Sequence, residues 1–214
     1  MLFTLVMTDS GLGLGPGRLL GGIVFSLGLI LVVVAGAELF TGNNLIVMAW
    51  AGRKISGLDM LRNWTLVYVG NLIGAIATAL FVDWSGTLDM GNGAVSRTAL
   101  SIAQAKVSLP FDQALIRGIL CNALVCMAVW LSYAARHVAG KILAIVFPIS
   151  AFVALGFEHS IANMYFIPLG MLIGDTITIG QLLGNLVPVT IGNIIGGSVL
   201  VGLVYWIAYR RKSA

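Results

Sequence analysis

Apolar residues gather along this chain into long runs, and few polar residues separate them. The runs cover about Leu19 to Trp50, Trp64 to Phe81, Ala114 to Tyr133, Ile142 to Leu172 and Leu182 to Tyr209, with Gly, Asp, Arg and Lys between. A helix needs about 20 apolar residues to cross the hydrocarbon core, so the pattern predicts five full spans. Met1 to Thr8 reads as the tail of a further helix, too short to cross, ending at Asp9 and the turn-rich Gly11-Leu12-Gly13-Leu14-Gly15-Pro16-Gly17. The polar stretch from Asp83 to Pro110 reads as a loop carrying a short surface helix.

Composition agrees: 59% of residues are hydrophobic and 9% charged, against about a quarter charged in a soluble domain. The expected class is all-α and integral to a membrane, as one domain of 214 residues. The net charge of +4 points to orientation and not to nucleic acid, because Lys and Arg concentrate in cytoplasmic loops. Arg53, Lys54, Arg62, Arg136, Lys141, Arg210, Arg211 and Lys212 fall on one side, and Arg18, Arg97, Lys106 and Arg117 on the other. The first side is expected to be cytoplasmic, with the C-terminus inside, in the cell inner (cytoplasmic) membrane. Cys121 and Cys126 sit within an apolar run and read as packing residues, and no metal-binding or cofactor pattern is present. Met1 to Thr8 lacks the basic leader and cleavage site of a signal peptide.

Compared with itself, the chain repeats. At an offset of 122, the segment Asn63 to Gly74 lies over Asn185 to Gly196, with Asn, Val, Gly, Asn, Ile and Gly recurring in place. At an offset of 120, Gly36-Ala37-Glu38 lies over Gly156-Phe157-Glu158, and Asn43 over Asn163. Three crossings separate the copies, so they point in opposite directions, as in many transporters and channels whose path runs between the halves. The first repeat is expected over about 1–83, an extracytoplasmic loop over about 84–110 and the second repeat over about 111–210. Gly70 with Gly74 and Gly192 with Gly196 read as small-xxx-small packing pairs.

Two apolar runs exceed one span, and each carries an acid near its middle, Glu38 and Glu158, beside glycines. A carboxylate at the bilayer centre costs several kcal/mol unless partnered. Both runs are therefore expected to be helices broken near the midplane, where unwound backbone lines a cavity. The two acids read as structural, each accepting hydrogen bonds from loop N–H groups. His159 has no counterpart, since Leu39 occupies the equivalent place. A lone buried His is more often a satisfied core group, but its position in a break at the expected centre of a path makes it a functional candidate.

The segments Ala37-Glu38-Leu39-Phe40-Thr41, Gly156-Phe157-Glu158-His159-Ser160-Ile161-Ala162-Asn163-Met164 and Asn185 to Gly197 resemble the signatures of the formate/nitrite transporter family. The resemblance implies an aquaporin-like inverted repeat of three helices each, assembled as a homopentamer with one pore per protomer and no catalytic residues. His159 matches the central pore histidine, Thr41 the loop threonine facing it, and Asn122 an asparagine hydrogen-bonding near the histidine. Leu29, Phe40, Val125 and Phe152 fall where the family has apolar constrictions, and Lys106 matches a vestibule lysine. The Thr41-Gly42-Asn43-Asn44 variant resembles members associated with formate dehydrogenases. Family members have a complete first helix, so the first helix here is expected to be truncated.

The activity implied is passage of a small monovalent anion, formate foremost, with nitrite and hydrosulfide as alternatives and either a channel or a proton symporter as the mode. Two rivals stand apart. A water- or glycerol-type channel would carry paired Asn-Pro-Ala motifs, which are absent, and an intramembrane enzyme using Glu158 and His159 lacks a zinc or nucleophile motif. His137 falls in a basic loop with Arg136 and Lys141 and reads as solvated.

Overall fold

A computed structural model describes residues 1–9 and 11–210, which are almost entirely helical and contain no strand among the described residues. The helices are α1 (Leu2–Thr8), α2 (Leu14–Ala35), α3 (residues 40–51), α4 (Gly57–Trp84), α5 (Ala94–Val107), α6 (Phe111–Ala134), α7 (Val138–Ala154), α8 (Ser160–Ile173) and α9 (Ile179–Tyr209). The five expected spans correspond to α2 with α3, α4, α6, α7 with α8, and α9. Of these, α2, α4, α6 and α9 are each long and apolar enough to cross a membrane alone. The orientation residues Arg211 and Lys212 lie outside the described residues.

Hydropathy underestimates the length of the helices because their first turns are polar. α4 starts seven residues before the apolar run, where Ser56 and Asp59 form a reciprocal capping box, which satisfies two of the backbone donors a helix start leaves free. Thr178 and Gln181 do the same for α9. The middle of α9, Ile195–Leu203, is wound as a π-helix.

The repeat is visible in hydrogen bonds. Asn43 Nδ2 donates to Glu38 Oε2 at 2.6 Å and to Asn63 Oδ1 at 2.9 Å. Asn163 Nδ2 donates to Glu158 Oε2 at 2.6 Å and to Asn185 Oδ1 at 2.7 Å. The amide of Phe40 donates to Asn71 and that of Ser160 to Asn193, while those asparagines donate back to the carbonyls of Glu38 and Glu158. Tyr68 and Thr190, equivalent positions of the two copies, meet each other at 3.0 Å. A contact between equivalents lies on the axis relating the halves.

These bonds correct the expected role of the acids. Glu38 and Glu158 take side-chain amides, not loop N–H groups, and the loops are held by Asn71 and Asn193.

The breaks also differ from a pair of midplane kinks. Both use glycine in the left-handed region, Gly36 at φ 80° and Gly156 at φ 70°. Arg18, just inside the start of α2, reaches the Ala154 carbonyl at 3.5 Å, so the second break lies level with that end of α2. The first break follows the other end of this 22-residue helix, about 33 Å away along its axis. Only the restart points, Phe40 and Ser160, return to a shared depth.

The core is built on α6, whose buried positions Ala114, Gly118, Cys121, Asn122, Val125, Cys126 and Val129 follow helical spacing. A Cβ on Gly192 or Gly196 would strike the Leu115 or Ile119 carbonyl, which confirms close backbone approach there, whereas Gly70 and Gly74 face open space within the protomer. The packing role expected for both pairs is thus carried inside the protomer by the second alone. α5 is more than a surface helix: Val95, Ala99 and Ala103 form a buried stripe, and Ala103 sits against Gly170 of α8. The outer surface exposes Leu66, Ile73, Phe81, Phe111, Leu143 and Phe147, a belt suited to a bilayer.

Candidate functional site

His159 caps α8: its backbone is extended (φ −116°, ψ 115°), and Nδ1 accepts the Ala162 amide N–H at 3.1 Å. Leu39, its repeat equivalent, has the same backbone form (φ −130°, ψ 118°) but no side chain able to cap. Because Nδ1 is an acceptor, the hydrogen bonds assign the ring proton to Nε2. Nε2 meets Thr41 Oγ1 at 2.9 Å, joining the starts of α3 and α8.

Asn122 acts one step back. Its Nδ2 lies 3.2 Å from the Thr41 carbonyl, 2.8 Å from Asn44 Oδ1 and 2.7 Å from the Asn193 carbonyl, and Cys126 Sγ also donates to the Thr41 carbonyl, at 3.3 Å. Asn122 thus fixes the backbone of Thr41 and does not itself bond to the His159 ring.

Two cavities meet at His159. One, of about 360 Å³, is a vestibule whose lining includes Arg18, Lys106, Arg117, Glu158 and Phe166. The other, of about 180 Å³, is walled by apolar groups, among them Leu29, Val32, Leu39, Val125 and Ile149, with no charged residue. Phe25, Phe152, His159 and Ala162 border both. The Phe152 ring stacks on the imidazole with centroids 6.0 Å apart and meets Phe25 edge-on at 5.8 Å. Charge thus ends abruptly at one partition of two phenyl rings and an imidazole.

Leu29, Val125 and Phe152 line the apolar cavity, but Phe40 does not. Its ring is buried edge-on against Trp64 and Tyr68, and its neighbour Leu39 supplies the wall, because α3 begins at Phe40 and turns that side chain toward α4. Lys106 lines the vestibule, yet its Nζ is committed to both Glu158 oxygens at 3.0 and 3.1 Å. Sequence reasoning missed Arg18, Arg117, Phe25 and Leu39. The arginines passed as orientation charges, since nothing local reveals that they converge across α2 and α6.

The Lys106–Glu158 pair is mostly sheltered, with side chains 15% and 6% exposed. Glu158→Ala strands a sheltered ammonium, so a stability loss of about 3 kcal/mol is expected. Glu38→Ala, at an exposed carboxylate held by Asn43, should cost under about 1 kcal/mol. Thermal midpoints in detergent compare the two, and equal shifts contradict the assignment.

These features define a polytopic helical membrane protein, built as an internal inverted repeat, with a polar and an apolar cavity meeting at its centre. The chain belongs to the formate/nitrite transporter family, whose model matches residues 1–207. It is 50% identical over 195 residues to the uncharacterized transporter YrhG of Bacillus subtilis, covering 91% of this chain and 73% of that protein. It is 45% identical over 218 residues to the formate channel FocA of Escherichia coli K12, covering 93% of this chain and 76% of FocA. A solved structure described as a pentameric formate channel with formate bound superposes with a TM-score of 0.89 at 39% identity, covering 98% of this chain and 90% of that one. The relatives are channels and transporters, and the chain is not an enzyme.

Proposed function

We propose that this chain forms a pore for a small monovalent anion, foremost formate, and that the anion crosses its centre as the neutral acid. The observation that carries the reading is the change of lining at His159: three basic side chains on one side, none charged on the other. Moving a bare anion into an apolar chamber of that size costs far more than thermal energy, whereas the protonated acid loses little. FocA and the pentameric neighbour support both the substrate and a homopentamer. Almost none of α4 is buried within the protomer, which leaves a face for a neighbouring copy or lipid.

In this reading the vestibule concentrates the anion, and the helix starts of α3 and α8 present their positive ends at the centre. His159, held by Ala162 and by Thr41, whose backbone Asn122 fixes, takes a proton from a hydronium ion of the vestibule, and the imidazolium so formed gives its Nε2 proton to an oxygen of the anion, leaving a neutral ring and the neutral acid. The weak acid then moves through the chamber of Leu29, Leu39, Val125 and Phe152. In the same reading the C-terminus is cytoplasmic and the vestibule faces outward, in the cytoplasmic membrane, which the distribution of Lys and Arg among the loops supports. Nitrite and hydrosulfide share the charge and small size, and either satisfies the same scheme.

The test is solute flux into proteoliposomes above that of protein-free liposomes. Formate entry with little glycerol-driven swelling is expected, and the reverse pattern identifies a neutral-solute channel. Phe152→Ala should widen the partition and raise permeation of larger monocarboxylates severalfold relative to formate. An unchanged ratio removes Phe152 as a size filter.

A further inference from the structure

Lys106 is the expected anion attractor, but its charge is spent on Glu158. Arg18 and Arg117 line the same vestibule, both half-buried, and neither forms a salt bridge with a carboxylate among the described residues. Arg18 is braced where it stands: Nη1 reaches the Ala154 carbonyl, and a Cβ on Gly156 would lie 2.9 Å from that same nitrogen. Arg117 is placed by its own backbone, whose carbonyl accepts the Glu158 amide at 3.3 Å. The two guanidiniums come from different helices and flank the loop that presents His159.

We infer that Arg18 and Arg117 form the anion's first binding site, and that this site takes planar anions with two oxygens in preference to spherical ones. A guanidinium is a flat fork of donors that matches an O–C–O or O–N–O edge through two parallel hydrogen bonds, which an ammonium does not reproduce. Formate and nitrite have that edge; hydrosulfide and chloride offer a single centre. The inference rests on the pore reading above and narrows its substrate class. Lys106 becomes a holder of Glu158, and through Glu158 of Asn163 at the start of α8.

The experiment compares formate and hydrosulfide flux in proteoliposomes of the full-length wild type, the double variant R18Q/R117Q and the double variant R18K/R117K, with R97Q as a control for charge elsewhere. Arg97 does not line the vestibule and donates to the Asn92 carbonyl. The glutamine pair should raise the half-saturating formate concentration about tenfold at low ionic strength while leaving the limiting flux within about twofold. The lysine pair should restore capture but lower the preference for formate over hydrosulfide by about threefold to tenfold. R97Q should behave as wild type.

Unchanged half-saturation in the glutamine pair, or unchanged preference in the lysine pair, overturns the inference while leaving the pore reading standing. A wild type without formate flux overturns both. Should a double variant fail to assemble, competition in the wild type decides: nitrite should inhibit formate entry more than chloride at equal ionic strength, and equal inhibition rejects the site.

Discussion

Replacing His159 with Phe is expected to reduce proton-coupled formate entry about a hundredfold or more, the scale on which a positioned proton donor acts. Phe fits the partition sterically, since Phe152 already stacks on the imidazole face, so the loss reports chemistry and not collapse. What disappears is the Nε2 proton facing Thr41 at 2.9 Å and the cap on Ala162. His159→Asn separates these, because Asn is a good helix cap but carries no proton through a ring. If Asn restores flux, His159 is a structural cap. If Phe leaves flux and its pH dependence unchanged, His159 has no role in passage. Thr41→Val should follow the Phe variant more weakly, as Thr41 orients the ring.

Gly196→Ala is expected to destabilise the protomer by about 3 kcal/mol, whereas Gly74→Ala, at the equivalent place in the first repeat, should stay within about 1 kcal/mol. The added methyl at Gly196 lands on the Ile119 carbonyl, and backbone can retreat only by parting α9 from α6. The same methyl at Gly74 meets nothing inside the protomer. Because α6 carries Asn122, parting these helices also loosens the Thr41 carbonyl and so reaches the site. Thermal midpoints in detergent, with the oligomeric state recorded, provide the comparison. Equal losses at both glycines would mean that α9 does not seat on α6 as closely as described.

Much of the architecture was legible because the membrane imposes it. Length and hydropathy determine spans, and the recurrence of Asn, Gly and Glu at two fixed offsets gave the repeat that the paired asparagine bonds then display. The two offsets differ by two residues because the connection between break and following helix differs in length between the copies. That Thr41 faces His159 was implied by the family resemblance alone, and the two side chains meet at 2.9 Å.

Contacts between distant helices were not legible. Phe40 and Leu39 are neighbours in sequence, and which one faces the path depends on where α3 restarts. Arg18 and Arg117 are separated by almost half of the chain, and only the fold brings them to one cavity. The depth of the breaks was hidden for a related reason: a glycine marks where the helix ends, not how far the chain must return before it resumes.

In the proposed pore, formate crosses the middle of the protein without its charge. The most direct measurement imposes a formate gradient on proteoliposomes of the wild type and reads internal pH and membrane potential together, against protein-free liposomes. Internal acidification that accompanies formate entry is expected, absent from His159→Phe, with no build-up of potential. Formate entry that generates a potential and leaves internal pH unchanged would contradict it.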